Sequence, residues 1–250
     1  MRRDDLVRWL DEYLKIRDFK DPSLNGLQVE GKAEVRTLGA AVDAAQAIFD
    51  KAAEAGVDFL ITHHGLFWGQ PFAIVGYQKR RLERLFSAGI SLYTAHLPLD
   101  AHPEVGNNAV LARELGLESL EPFPHPKYGN IGYIGHFAEP KPLALVEDRI
   151  GELTGMQPLV VRAGLDEVRR VGIVSGGGAG EVGQAGALGC DLFITGEPAH
   201  AHYHEPFELG LNVIYAGHYD SETFGVKALA ARLEREFGLS WVFLEHPTGL

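Results

Sequence analysis

The feature that most restricts the fold of this chain is an internal repeat. Residues 52–65, AAEAGVDFLITHHG, and residues 185–198, AGALGCDLFITGEP, follow one plan: a helix end, a Gly stop, an Asp, an apolar strand and a Thr at its tip. A second pair follows in the same order, LYTAHLPLD at 92–100 and VIYAGHYDSE at 213–222. Each sets a His four residues before a carboxylate, His96 with Asp100 and His218 with Glu222. Behind each comes a helical stretch ending in Gly-Leu, NNAVLARELGL and then GVKALAARLEREFGL. βαβ units share some of this likeness by default. Two matched blocks in one order, with a common His-x3-acid spacing, favour duplication.

Apolar strand-like runs alternate with helical periodicity, which predicts an α/β fold. The spacing predicts strands near 35–42, 58–62, 90–95, 131–138, 158–161, 169–174, 191–195, 212–216 and 241–244. Helices are predicted near 4–15, 45–55, 79–88, 106–115, 142–154, 180–189, 199–209 and 222–237. The expected architecture is two duplicated α/β repeats forming two lobes with a metal site between them. The first lobe is expected at 1–122 and the second at 123–250, packed as one unit. With 46% apolar and 23% charged residues the chain can bury a substantial core. No apolar run approaches the roughly 18 residues of a membrane span. The N-terminus reads as an amphipathic helix and not a signal peptide. Cys190 is the only cysteine, so no intrachain disulfide forms and a cytoplasmic location is expected. A net charge of −11 argues against binding duplex nucleic acid, which depends on neutralising phosphates.

Ligands of such sheets sit beyond the carboxyl ends of the strands. His63 and His64 follow the strand at 58–62, Asp100 follows 90–95, and His218 and Glu222 follow 212–216. All five therefore fall on one kind of edge. Adjacent strand residues point apart, so His63 and His64 are expected to serve two metals, and imidazole suits Zn, Fe, Co, Ni or Mn. Pro98 argues for a loop around Asp100, whose plainer role is to cap the next segment. His96 stands as a ligand, a residue orienting a ligand, an acid–base catalyst, or a structural histidine. Glu222 has two oxygens to bridge cations, and Asp220 competes with it. His102 reads as loop surface. His200, His202 and His204 alternate in EPAHAHYHEP, more in keeping with a solvated face than a metal site. SGGGAGEVG at 175–183 contains G-x-G-x-x-G, but Glu197 follows Gly183 too soon for the ribose acid expected about 20 residues on. A tight turn lining a pocket, touching a substrate phosphate, fits better. Cys190 reads as core.

The stretches NGLQVEG (25–31), GVDFLITHHG (56–65), HLPLDAHPEVGNN (96–108), ITGEPAH (194–200) and GHYDSE (217–222) resemble the NIF-three-like family, known also as homologues of GTP cyclohydrolase 1 type 2. The resemblance spans nearly the whole chain. It implies that the two α/β repeats are intertwined, that two divalent metals sit on the residues matching His63, His64, Asp100, His218 and Glu222, and that the chain forms a toroidal homohexamer. Only about 50 residues lie between the matched halves, at 121–170, so the chain resembles the short form without an inserted domain. The function expected is that of a dinuclear metal-dependent hydrolase of a nucleotide or phosphoester, with His96 as its acid–base residue. The alternative is a metal-binding or delivery protein, or a regulatory scaffold without turnover that binds a protein partner or single-stranded nucleic acid.

Overall fold

The structure is a computed structural model and describes residues 1–250. Internal packing divides the chain into two units, 1–105 with 225–246, and 106–224 with 247–250. In chain order the first contains Arg3–Tyr13 (α1), Gly26–Val29 (β1), Thr37–Asp43 (β2), Gln46–Glu54 (α2), Phe59–His64 (β3), Gly76–Ala88 (α3), Ser91–Thr94 (β4) and Leu97–Ala101 (α4). The second contains Asn107–Glu114 (α5), Glu118–His125 (β5), Gly129–Pro142 (β6), Leu143–Thr154 (α6), Leu159–Val161 (β7), Glu167–Val174 (β8), Val182–Ala187 (α7), Leu192–Thr195 (β9), Glu205–Leu209 (α8), Asn212–Tyr215 (β10) and His218–Ser221 (α9). Thr223–Phe237 (α10) and Ser240–Phe243 (β11) end the fold, the chain rejoining the first unit at residue 225. No helix is long and apolar enough to cross a membrane.

The sheet of the first unit has the order β1-β4-β3-β2-β11, and that of the second β5-β6-β8-β9-β10-β7. Strands β2, β3 and β4 run parallel, as do β8, β9 and β10. In each unit a short strand lies antiparallel on the outer edge of the last of these, β1 beside β4 and β7 beside β10. The duplication extends to single hydrogen bonds. Asp58 Oδ2 accepts the backbone N–H groups of Arg36 at 3.1 Å and Thr37 at 3.3 Å. Asp191 Oδ2, at the matching place in the second repeat, accepts those of Arg169 at 3.0 Å and Arg170 at 2.8 Å. Each Asp thereby pins the start of the neighbouring strand.

Period-two alternation sorts the strand residues of the first unit between two cores. Phe59 and Ile61 join Leu6 and Leu10 of α1 and Val226, Leu229 and Leu233 of α10 on one face. Leu60 joins Ile48, Phe49 and Ala52 of α2 and Leu82 and Leu85 of α3 on the other. Parallel strands covered on both faces read as continuous apolar runs, which is why the predicted strands coincide closely with β2, β3, β4, β8, β9 and β10. In the second unit Val171, Ile173, Leu192, Ile194 and Ile214 pack with Leu111 and Ala112 of α5 and Val146 and Ile150 of α6. The repeats are intertwined: α5, which closes the first repeat, packs in the second unit, and α10, which closes the second, packs in the first.

Two local expectations change. Residues 97–101 form a helical turn and not a loop, because Pro98 occupies the first turn, where its missing N–H has no partner to lose. The helix expected over 199–209 is reduced to a 3₁₀ turn at His200–His202 and the five-residue α8, which begins around Pro206.

Candidate metal centre

In the first unit the end of β3 carries the histidine pair. Thr62 and Thr94 hydroxyls meet at 3.1 Å and fix the tips of β3 and β4 side by side. His63 is fully buried, and its Nδ1 lies 3.0 Å from the carbonyl oxygen of Ala95. A carbonyl only accepts, so Nδ1 carries the proton and Nε2 is the lone-pair nitrogen. His64 is held in the same manner, Nδ1 to Asp43 Oδ1 at 2.8 Å, from a residue that faces it in the β2–β3 register.

His96 repeats the arrangement from the turn after β4. Its Nδ1 lies 2.8 Å from Asp21 Oδ1, and the Asp21 side chain is only 2% exposed. Asp21 Oδ2 also accepts from Asn25 Nδ2 and the Leu97 N–H, both at 2.9 Å, while Asn25 Oδ1 accepts the His96 N–H at 2.7 Å. Burial works against charge on Asp21. The hydrogen bond and charge of His96 and the Asn25 and Ser23 donors outweigh it and hold the carboxyl below the usual carboxylate range. The first turn of α4 then places Asp100, with the Leu99 and Asp100 N–H groups both bonding back to the His96 carbonyl. Asp100 is buried, with Oδ2 3.6 Å from His63 Nε2. One ligand atom each from His63, His64 and His96 lie within 4.8 Å of one another. The side chains of His63 and His64 thus converge, with ring centres 4.8 Å apart, where strand alternation alone predicts divergence.

In the second unit the turn after β10 carries His218 and Glu222. His218 Nδ1 lies 3.1 Å from Glu197 Oε2, and its Nε2 lies 3.3 Å from Glu222 Oε1. Burial opposes the imidazolium, but the bonds and charges of Glu222 and Glu197 prevail and raise the His218 pKa to about 9. Glu222, not Asp220, is the buried acid facing the imidazole. The glycine motif makes room for this pair. Gly176 adopts φ +65°, and a Cβ there would lie 2.0 Å from Glu222 Oε1 and 3.1 Å from His218 Nε2. Its N–H donates to Ser221 Oγ at 3.0 Å, and its carbonyl accepts the N–H groups of Gly196 and Glu197. These bonds serve the carboxylate-bearing turn, so the motif's chemistry is close packing.

Each candidate histidine therefore has Nδ1 fixed by a carbonyl or carboxylate and Nε2 directed elsewhere, the support that metal-bound imidazoles receive. The donor set fits a divalent transition ion. Asp21, Asn25, Asp43 and Glu197 supply this support, and sequence reasoning missed them as site residues. The one available signal was that Glu197 stands where the repeat places His64. His102 is not loop surface: its ring packs tilted against Tyr13 at 4.5 Å, its Nε2 lies 3.1 Å from the Tyr13 carbonyl, and its Nδ1 accepts the Glu104 and Val105 N–H groups. Nor do His200, His202 and His204 converge. His202 pairs with Glu205 at 3.0 Å, and His204 packs edge-on against Tyr203.

A family model described as Duf34/NIF3 (NGG1p interacting factor 3) matches residues 1–248. A GTP cyclohydrolase 1 type 2 homolog of Deinococcus radiodurans is 51% identical, the match covering 99% of this chain and 94% of that protein. Another, from Pyrococcus horikoshii, is 48% identical with both chains fully covered. The crystal structure of a Thermus thermophilus protein superposes with a TM-score of 0.93 at 65% identity, covering all of both chains.

Proposed function

The chain belongs to the Duf34/NIF3 family, and on that premise we propose that it is a dinuclear metal-dependent hydrolase of a nucleotide or phosphoester. His63, His64, Asp100, His218 and Glu222 would hold the two ions. The observation that carries this reading is the common support of the histidines, with four Nδ1 atoms tied down by Ala95, Asp43, Asp21 and Glu197. Such restraint orients imidazoles for an ion.

Two bound ions would supply an activated water and polarise the bond under attack. The chain's own groups do the rest. Glu222 would help hold the ions through its buried carboxylate. His96, with Asp21 behind it, holds a proton at Nδ1 and leaves Nε2 to exchange one with the reacting group. Family likeness supports a closed homohexamer as the assembled form. Light scattering tests that, and a monomer at micromolar concentration refutes it.

The experiment is elemental analysis of protein purified without chelator and then reconstituted with Zn, Mn, Fe, Co or Ni, followed by a screen of nucleotides and phosphoesters. Two ions per chain and metal-dependent product release, both lost in Glu222→Gln, are expected. Trace metal at saturation overturns the reading. Two ions without turnover against any substrate class leave a metal-delivery protein instead.

A further inference from the structure

Trp68 is 40% exposed, an expensive position for a large apolar ring unless something covers it. It lies beside the histidine cluster of the first unit, edge-on to His96 with ring centres 5.1 Å apart and tilted 5.7 Å from His64. Its orientation is fixed. The indole N–H donates to the Gly65 carbonyl at 3.0 Å. The loop that carries it is tied to the 24–28 segment by two bonds, Leu66 N–H to Gln28 Oε1 at 2.8 Å and Leu24 N–H to the Phe67 carbonyl at 2.9 Å, and Gln28 is itself held by its Nε2 bond to the Leu24 carbonyl at 2.6 Å. Gly65 permits this closure, since a Cβ there would strike Gln28 Nε2 at 2.2 Å and Thr94 Oγ1 at 2.7 Å. Phe67 stacks on Phe72 at 5.2 Å and stiffens the loop from behind.

A tethered aromatic ring with an open face, set beside ligand nitrogens, is a stacking platform. We propose that Trp68 binds the planar heteroaromatic ring of the substrate, so that the site selects base-bearing phosphoesters over simple sugar phosphates. This deepens the hydrolase reading and rests on it for the reaction, though the platform itself is separable. The same Nε2 cluster that would face a phosphoryl group lies within one ring's breadth of the indole, so one ligand spans both.

The test compares adenosine 5′-monophosphate with ribose 5-phosphate, which share the phosphate and differ by the base. Binding to the full chain is measured by calorimetry, with and without Zn. The wild type should prefer the nucleotide. Trp68→Leu should lower nucleotide affinity roughly 5- to 100-fold, the range of one base–aromatic stack, and leave ribose 5-phosphate unchanged. Trp68→Phe should retain most of the preference while abolishing the quenching of tryptophan emission that the nucleotide produces. Equal affinity for both ligands in the wild type, or equal loss of both in Trp68→Leu, overturns the platform. Selectivity that persists without Zn in a chain that binds no metal keeps the platform and sinks the hydrolase reading. Zn binding without base selectivity does the reverse.

Discussion

Two glycines with nearly the same backbone provide a matched test of the site's geometry. Gly176 has φ +65° and Gly189 has φ +70°. Alanine in this left-handed region costs about 1–2 kcal/mol at either position. Around Gly189 nothing lies within 4 Å of an added Cβ, so Gly189→Ala should show that backbone effect alone. At one kcal/mol per roughly 2–4 °C for a chain of this size, its melting temperature should fall by about 2–8 °C. At Gly176 the added Cβ meets Glu222 Oε1 at 2.0 Å, far inside contact distance. Either the turn distorts, adding about 1–3 kcal/mol as overpacking does, or the carboxylate swings away from His218. Both outcomes displace Glu222. Gly176→Ala should therefore lose at least about 10-fold in metal affinity, the lower range for disturbed supporting groups, while Gly189→Ala keeps wild-type affinity. Thermal melts and Zn titrations of the two variants decide the matter. Equal metal affinity in both would refute the argument that Gly176 exists to seat Glu222.

Asp21→Asn should loosen His96 while both ions are retained by Zn titration, and should lower turnover about 10- to 100-fold in the substrate screen. His96→Ala should keep two ions and reduce turnover about 10²- to 10⁴-fold in the substrate screen; loss of an ion would make His96 a ligand instead. Burial opposes charge on Asp58, but Lys32 and the Arg36 and Thr37 N–H groups outweigh it and lower its pKa. Its contribution is thus complete above about pH 3.9, the unfolded value, and fades as pH falls through the lower folded one. Asp58→Asn should be less stable by about 1–3 kcal/mol at neutral pH in urea unfolding, and the gap should close in acid. Burial pushes the Cys190 thiol up to about 11, so iodoacetamide at neutral pH should label the native chain far more slowly than the unfolded one.

The parallel strands are legible in the sequence because both their faces are buried, and their tips locate every candidate ligand. The edges are not. Strand β1 is four residues long and half-exposed, and β5 contains Pro122 and Pro124 with most of its side chains outward, so neither shows a strand's apolar signature. Pro98 reads as a breaker because its effect depends on its position within a turn, which spacing does not reveal. Asp21 and Asp43 stay hidden for a related reason. A carboxylate that orients a histidine has no fixed sequence offset from it, and Asp21 reaches His96 across 75 residues. Only three-dimensional closure brings such pairs together.

The placement of α5 and α10 bears on how the chain arose and how it is inherited as a unit. Severed after residue 122, the N-terminal piece would lack α10 and expose Leu6, Leu10, Phe59 and Ile61, which that helix covers. The C-terminal piece would lack α5 and expose Val171 and Ile173. Neither half-molecule is self-sufficient, and each would satisfy itself by lending its terminal helix to a twin. The chain has the form of two such twins fused end to end, each copy's terminal helix packed with the other copy's strands. Between the two copies, the strand-tip position that carries His64 in the first carries Glu197 in the second.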